Sequence, residues 1–231
     1  MTLGRFLILS ACSAALITLG SCTLAHRGRP ITAEATPEVQ FAEGKGNAYL
    51  FDIKINHSGK KNSVRLDLYQ SGELLGLFAR GYLGKGVMKG ILSKDSLIVY
   101  FPTENEFYTG KISGLVENPC LKSTRIEQLI LQFFNSTPPE IDLSNSELYL
   151  TVLKEENSLH EYLLQSRSCP EGIRLQYDLN KSIWFIKEIQ LTSQDKSFEF
   201  FARRREFRSN IEIPQDKFGL VIPETALRIT P

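Results

Sequence analysis

Ala48-Tyr49-Leu50-Phe51-Asp52-Ile53-Lys54-Ile55-Asn56 carries its reading on its face: Tyr49, Phe51, Ile53 and Ile55 alternate with Leu50, Asp52, Lys54 and Asn56. A period of two sends one set of side chains toward a core and the other toward water, as in a half-buried β-strand. The pattern repeats outward along the chain. His57-Ser58-Gly59-Lys60-Lys61-Asn62 reads as a turn, after which Val64, Leu66 and Leu68 alternate with Arg65 and Asp67. Gln70-Ser71-Gly72-Glu73 turns again, and strand-like runs follow at 74–82, 87–92, 96–101 and 106–112. Their separators, Gly84-Lys85-Gly86, Ser93-Lys94-Asp95 and Thr103-Glu104-Asn105, are short. Connections of this length favour antiparallel pairing of successive strands, which is a meander.

The period then changes. Ile126, Leu129, Ile130, Phe133 and Phe134 are spaced i, i+3, i+4, i+7 and i+8, with Arg125, Glu127, Gln128 and Gln132 between them. This is one amphipathic helix over 124–135, with Thr124 and Glu127 placed for a capping box and Pro138-Pro139 ending it. Strands resume at 147–153, 161–165, 173–177, 182–191 and 197–207, and a short piece at 218–223 leads to the tail. The predicted fold is mainly β, about ten or eleven antiparallel strands with one inserted helix. An antiparallel sheet with one apolar face must cover that face, and a sheet this wide curls. A half-barrel wrapped around the helix satisfies both demands. It also leaves an apolar cleft between sheet and helix.

Ahead of these elements, Arg5 precedes an apolar run from Phe6 to Ile17, which ends in Leu19-Gly20-Ser21-Cys22. One positive charge, a short hydrophobic stretch and small residues have the layout of a secretory signal peptide, and the stretch is short for a permanent membrane span. Leu19-Gly20-Ser21-Cys22 resembles the lipobox of bacterial lipoproteins. The resemblance implies cleavage before Cys22, a diacylglyceryl group on its thiol and acylation of its new amine. Thr23 in place of Asp resembles the pattern of lipoproteins passed to the outer membrane. The expected organisation is a signal peptide over 1–21, a lipidated tether over 22–44 and one domain over 45–231.

With Cys12 removed and Cys22 lipidated, Cys120 and Cys169 remain. In an oxidising compartment they are candidates for one disulfide, worth up to about 4 kcal/mol for a loop of about 50 residues; the alternative is two buried thiols. The formal net charge of +1 falls to about zero without Arg5, which argues against nucleic acid as a partner. The sequence has no Gly-x-Ser-x-Gly, no His-Glu-x-x-His and no phosphate loop, and its three histidines, His26, His57 and His160, are scattered. No catalytic constellation, cofactor or metal site is expected.

The run Arg65-Leu66-Asp67-Leu68-Tyr69, then Gly72-Glu73-Leu74-Leu75 and Leu83-Gly84-Lys85-Gly86-Val87-Met88-Lys89-Gly90, resembles the first strands of the LolA/LolB lipoprotein-localisation family. Asp95 to Pro102, Phe107-Tyr108-Thr109-Gly110, Ile213-Pro214 and Phe218 to Pro223 are similar to later parts of the same domains. The resemblance implies an unclosed half-barrel with a helical lid and a cavity for the acyl chains of lipoproteins. Ile126, Leu129, Ile130, Phe133 and Phe134 would form the lid, with Phe51, Tyr100, Phe107 and Trp184 as lining or core. Leu74, Leu75 and Leu77 would supply the membrane-touching tip of a receptor of the LolB type, unless they form a buried strand.

In Arg203-Arg204-Arg205, which with Arg208 is the densest charge cluster, the middle residue faces opposite to its neighbours on a strand; this reads as a solvated face with ion pairs, or as a contact with anionic headgroups or the rim of the cavity. The expectation is a lipid-anchored envelope protein, at the outer membrane and facing the periplasm. It would bind acyl chains and receive or hand over lipoproteins or lipids, with a periplasmic carrier as a partner. The alternative is an accessory envelope lipoprotein that binds a protein partner.

Overall fold

The computed structural model describes residues 45–112, 126–135, 143, 147–167, 169–180, 182–193 and 196–229. The expected signal segment, Cys22, the tether, Cys120 and Thr124 lie outside the described residues. The elements run β1 (Lys45–His57), β2 (Lys60–Ser71), β3 (Leu74–Arg80), β4 (Gly86–Leu92), β5 (Leu97–Phe101), β6 (Glu106–Gly110) and α1 (Ile126–Asn135). They continue with β7 (Leu148–Glu156), β8 (Leu159–Ser166), β9 (Cys169–Asn180), β10 (Ile183–Thr192), β11 (Phe198–Glu212) and β12 (Leu227–Arg228).

One twelve-stranded sheet has the order β12-β6-β5-β4-β3-β2-β1-β11-β10-β9-β8-β7. The first meander, β1 to β6, and the second, β7 to β11, are zipped together by the antiparallel ladder from Lys45↔Glu212 to His57↔Phe198. Among the described residues only β12 on β6 is parallel. The two edges, β7 and β12, do not pair, so the sheet is open. The β1–β2 turn is tighter than the sequence reading, with Ser58 and Gly59 alone between the strands, both at positive φ (49° and 83°). That backbone matches the right-handed twist of the strands it joins.

The sheet must curve, because distant strands grip one end of one helix. Gln70 on β2 donates to the Asn135 side chain, and the Tyr177 hydroxyl on β9 donates to the Phe133 carbonyl at 3.2 Å. Four strand spacings separate β2 from β9, about 19 Å in a flat sheet and beyond the joint reach of a Gln and a Tyr. The inner face thus closes around α1. Tyr49, Phe51, Ile53 and Ile55 of β1 join Leu68, Leu75, Leu92, Tyr162, Leu175 and Tyr177 with Leu129, Phe133 and Phe134 of α1 in one apolar core.

Ion pairs line the outer face: Arg80–Asp67 at 2.6 Å, Arg205–Asp52 at 2.7 Å, Arg203–Glu188 at 3.0 Å and Arg65–Asp52 at 3.6 Å. Such half-exposed pairs contribute about 0–1 kcal/mol each, so they solvate the sheet more than they hold it. The core dominates.

The chain after β11 returns as a strap across the outer face of β3 to β6. A Cβ on Gly76 would stand 2.1 Å from the Lys217 carbonyl oxygen, so glycine is what lets strap and strand meet backbone to backbone. The Lys217 ammonium lies 5.7 Å above the Tyr69 ring and 5.8 Å above Phe78. Leu220 seals against Ile91 and Ile98, with Leu74, Tyr100 and Ile222 around them. The strap then runs beside β6, bonding Leu227 N–H to the Asn105 carbonyl and Ile229 N–H to that of Phe107 (2.9 and 2.7 Å). An otherwise bare edge is covered.

This arrangement corrects several expectations. The piece at 218–223 is strap, and the last strand is β12, too short to show in periodicity. Tyr100 pairs directly with Phe107 and packs under the strap, so both face outward and neither lines the concave side. The tip residues are packed as well. Leu75 is 0% exposed in the main core, Leu77 rests on the inner clusters and Leu74 on the strap side. Only Gly72 (φ 54°) and Glu73 join β2 to β3, which leaves nothing to protrude.

Candidate functional site

The concave face and its helix are the centre of the molecule. α1 buries more than one stripe: Ile126, Glu127, Leu129, Leu131, Phe133 and Phe134 are all buried. At its start the Glu127 carboxylate accepts the backbone N–H of Ile112, just past β6. A negative charge in the first turn also suits the positive end of the helix dipole.

At its far end the last carbonyls lack partners within the helix. The sheet supplies them. Tyr177 bonds the Phe133 carbonyl, and the Tyr49 hydroxyl reaches the Phe134 carbonyl at 3.5 Å. Asn135 accepts from Gln70, which in turn accepts from Asn47 at 2.7 Å. The Phe134 ring meets Tyr49 and Phe51 edge to face at 5.3 and 6.2 Å. Burial raises the Tyr49 and Tyr177 hydroxyls above the ordinary phenol value of 10, so both remain neutral donors. Polar bonds fix the two ends of the helix while its body rests on apolar side chains.

Past the Tyr177 anchor the inner face continues with less cover. Tyr177 lies opposite His160, and Leu179 opposite Trp184, while Tyr162 lies between Val152 and Leu175. The His160 and Trp184 rings stack at 3.8 Å, and His160 Nδ1 is 2.9 Å from the Tyr162 hydroxyl. Leu179 is 41% exposed and Val152 51%. Together these residues form an aromatic and apolar mouth beside the end of α1.

The sheet is also split here. β10 and β11 share five register pairs, from Thr192↔Glu199 to Glu188↔Arg203, and no more. Beyond that point β10 stays paired with β9 as far as Ile183, and β11 with β1 as far as Glu212. Bulges sit on both strands at this level, between Ile186 and Glu188 and opposite Leu50/Phe51. Bulges bend strands and sharpen their twist, which accounts for the divergence. Arg204 bridges the gap. Its guanidinium holds both Asp178 oxygens at 2.6 and 2.7 Å and the Ile186 carbonyl at 2.9 Å. It also lies 5.2 Å over the Phe207 ring, which packs on Phe185 at 4.1 Å.

Of the residues named from sequence, Phe51, Ile126, Leu129, Phe133 and Phe134 come together in the main core, with Ile130 and Trp184 packed against it. Cys169 opens β9. Sequence reasoning passed over Tyr49, Tyr177, Gln70, His160 and the Arg204–Asp178 pair. A signal existed for two of them: Tyr49 is a phenol in an otherwise Phe/Ile inner set, and Arg204 continues the inward register of Phe200 and Ala202. Among the described residues no cluster of three His, Cys, Asp or Glu has metal-binding geometry, and no helix is long and apolar enough to cross a membrane.

The chain matches no family profile and no curated protein. It is similar to solved structures at low identity. One is an uncharacterized conserved protein from Thermus thermophilus, with 7% identity over 80% of this chain and 90% of that one, at a TM-score of 0.48. Another, from Vibrio parahaemolyticus, is described as an outer membrane lipoprotein-sorting protein domain (9% identity, 75% and 89% covered, TM-score 0.41). A third is a LolA superfamily protein from Nitrosomonas europaea (9% identity, 79% and 93% covered, TM-score 0.33). The described residues fold as an open, curved antiparallel half-barrel around α1, and structures of the lipoprotein-sorting and LolA kind stand among those the chain is similar to.

Proposed function

We propose that the protein is a lipid-anchored component of the cell envelope, held through Cys22, whose concave face takes up acyl chains of lipoproteins or lipids and receives or hands them over. The observation that carries this reading is the mouth at the end of α1. There the inner face exposes Val152 and Leu179 beside the half-buried, stacked His160–Trp184 pair. Exposed apolar surface continuous with a core is the usual setting of a site for an apolar ligand. Transfer would need no covalent step. An acyl chain moves toward whichever environment, membrane or concave face, lowers its free energy more, at about 0.8 kcal/mol per methylene buried.

A second reading rests on β7. This strand ends the sheet among the described residues and exposes Tyr149, Val152 and Leu153. Strand addition by an extended segment of a protein partner would cover them, which suits an accessory envelope protein.

Trp184 is the chain's one tryptophan and stands in the mouth. Titrating the mature chain bearing Cys22→Ala with a pyrene-labelled hexadecanoate, and following energy transfer from Trp184, tests the proposal. Saturable transfer at one probe per protein supports acyl binding. Absence of transfer, with a partner protein captured in stoichiometric amount, supports the second reading.

A further inference from the structure

We infer that the split between β10 and β11 is the portal through which an acyl chain reaches the concave face, and that Arg204 and Asp178 form its clasp. The inference rests on the acyl-binding reading above and names a way for a chain to pass beyond the exposed mouth to the rings under the helix.

The two ladders flanking the split run to the ends of their strands, whereas the β10–β11 ladder stops at Glu188↔Arg203. From there onward, residues 183–187 and 204–212 are joined by side chains in place of backbone bonds. The closure has a polar part and an apolar part. Arg204 reaches from β11 to the Ile186 carbonyl on β10 and on to the Asp178 carboxylate on β9, so a single side chain staples three strands. Phe185 and Phe207 fill the remaining space, and Phe207 also touches Tyr49 at 4.9 Å. Tyr49 in turn abuts Phe134 of α1. Parting Phe185 from Phe207 therefore opens onto the aromatic rings under the helix.

Geometry favours motion here over the two flanking seams. Opening β9–β10 or β1–β11 at this level breaks a backbone ladder. Opening the split part of β10–β11 breaks one guanidinium's bonds and one ring contact, with the two bulges already bending the strands apart. The Arg204 side chain is 11% exposed and that of Asp178 29%, so water can solvate the carboxylate as the clasp releases. The interior wall of the passage is Phe185, Phe207 and Tyr49, surfaces suited to a methylene chain.

Two measurements on the mature chain with Cys22→Ala test the portal. The first is hydrogen exchange resolved by residue. Amides at 183–187 and 205–209 should be those whose exchange rises about tenfold or more in Arg204→Gln and in Asp178→Asn, with 199–202 left as in the parent. The second is stopped-flow binding and release of pyrene-labelled hexadecanoate. A portal clasp predicts that both rates rise together, about tenfold, with the equilibrium affinity held within about twofold, because a gate alters the barrier and leaves the end states alone. A purely structural ion pair predicts weaker affinity or a faster release alone, and that result overturns the portal. Binding with unchanged rates in both variants also overturns it, while leaving the acyl-binding reading intact. If the probe binds none of the proteins, the acyl-binding reading falls and the portal with it, whatever the exchange pattern.

Discussion

Replacing Tyr177 by Phe removes one oxygen atom and asks whether the sheet holds the helix by its C-terminal carbonyls. The ring of Tyr177 is wholly buried and meets Tyr162 edge to face at 6.2 Å, contacts that Phe keeps. What is lost is the 3.2 Å bond to the Phe133 carbonyl, an acceptor at the end of α1 where helical partners have run out. Leaving a buried carbonyl unpaired costs about 1–2 kcal/mol. Tyr49→Phe is the internal control. Its bond to the Phe134 carbonyl is 3.5 Å, at the limit of a hydrogen bond, so the expected cost is about 0.5 kcal/mol or less. Urea unfolding followed by Trp184 fluorescence reads both. Tyr177→Phe should lower the midpoint by about 0.5–1 M at unchanged slope, and Tyr49→Phe by much less. No cost for Tyr177→Phe, or a cost no larger than that of Tyr49→Phe at about 0.5 kcal/mol or less, would refute the claim that the Tyr177 hydroxyl anchors the helix.

Three further outcomes follow from other parts of the structure. Gly76→Val improves local strand propensity yet places a Cβ 2.1 Å from a backbone oxygen of the strap; calorimetry should show a loss of about 1–3 kcal/mol, and a gain in stability would contradict the backbone-to-backbone contact. Leu75→Glu buries a carboxylate at a 0% exposed position, so circular dichroism should show an unfolded or severely destabilised chain, by about 4 kcal/mol or more; a folded variant would revive the membrane-tip reading. Stability should also fall at alkaline pH. Burial raises Tyr49 and Tyr177 above 10 in the folded protein, so the folded state holds their protons where the unfolded chain releases them, and stability present below pH 10 is lost as pH climbs beyond it. The double variant Tyr49→Phe/Tyr177→Phe should lose less stability between about pH 9 and 11 than the parent; an identical decline would show that other groups carry it.

Much of the architecture was legible in residue order because it depends on local periodicity. Tyr49-to-Ile55 alternation, the short turns and the 3.6-residue spacing of Ile126 to Phe134 each fix an element without reference to the rest. What stayed hidden depends on distance. Pairing of β1 with β11 joins residues more than a hundred positions apart, and no local pattern announces it. Leu74, Leu75 and Leu77 read equally well as an apolar tip or as a strand; only the neighbours on both sides of β3 decide, and they make it core. Tyr100 and Phe107 resemble lining residues until the strap is seen to turn the outer face of β5 apolar. Arg204 shows the same limit from the other side. Alternation put it opposite Arg203 and Arg205, correctly, but its partner Asp178 lies two strands away across a split that no spacing encodes.

The most direct test of the account is native mass spectrometry of the mature chain with Cys22→Ala, exported to a bacterial periplasm and purified without detergent. An acyl-binding concave face gives an added mass of one lipid or acylated species, released on collisional activation and reduced when Trp184 and Leu179 are replaced by polar residues. A chain that arrives at its bare mass in every preparation, and stays so after incubation with phospholipid vesicles, would contradict an acyl-binding concave face.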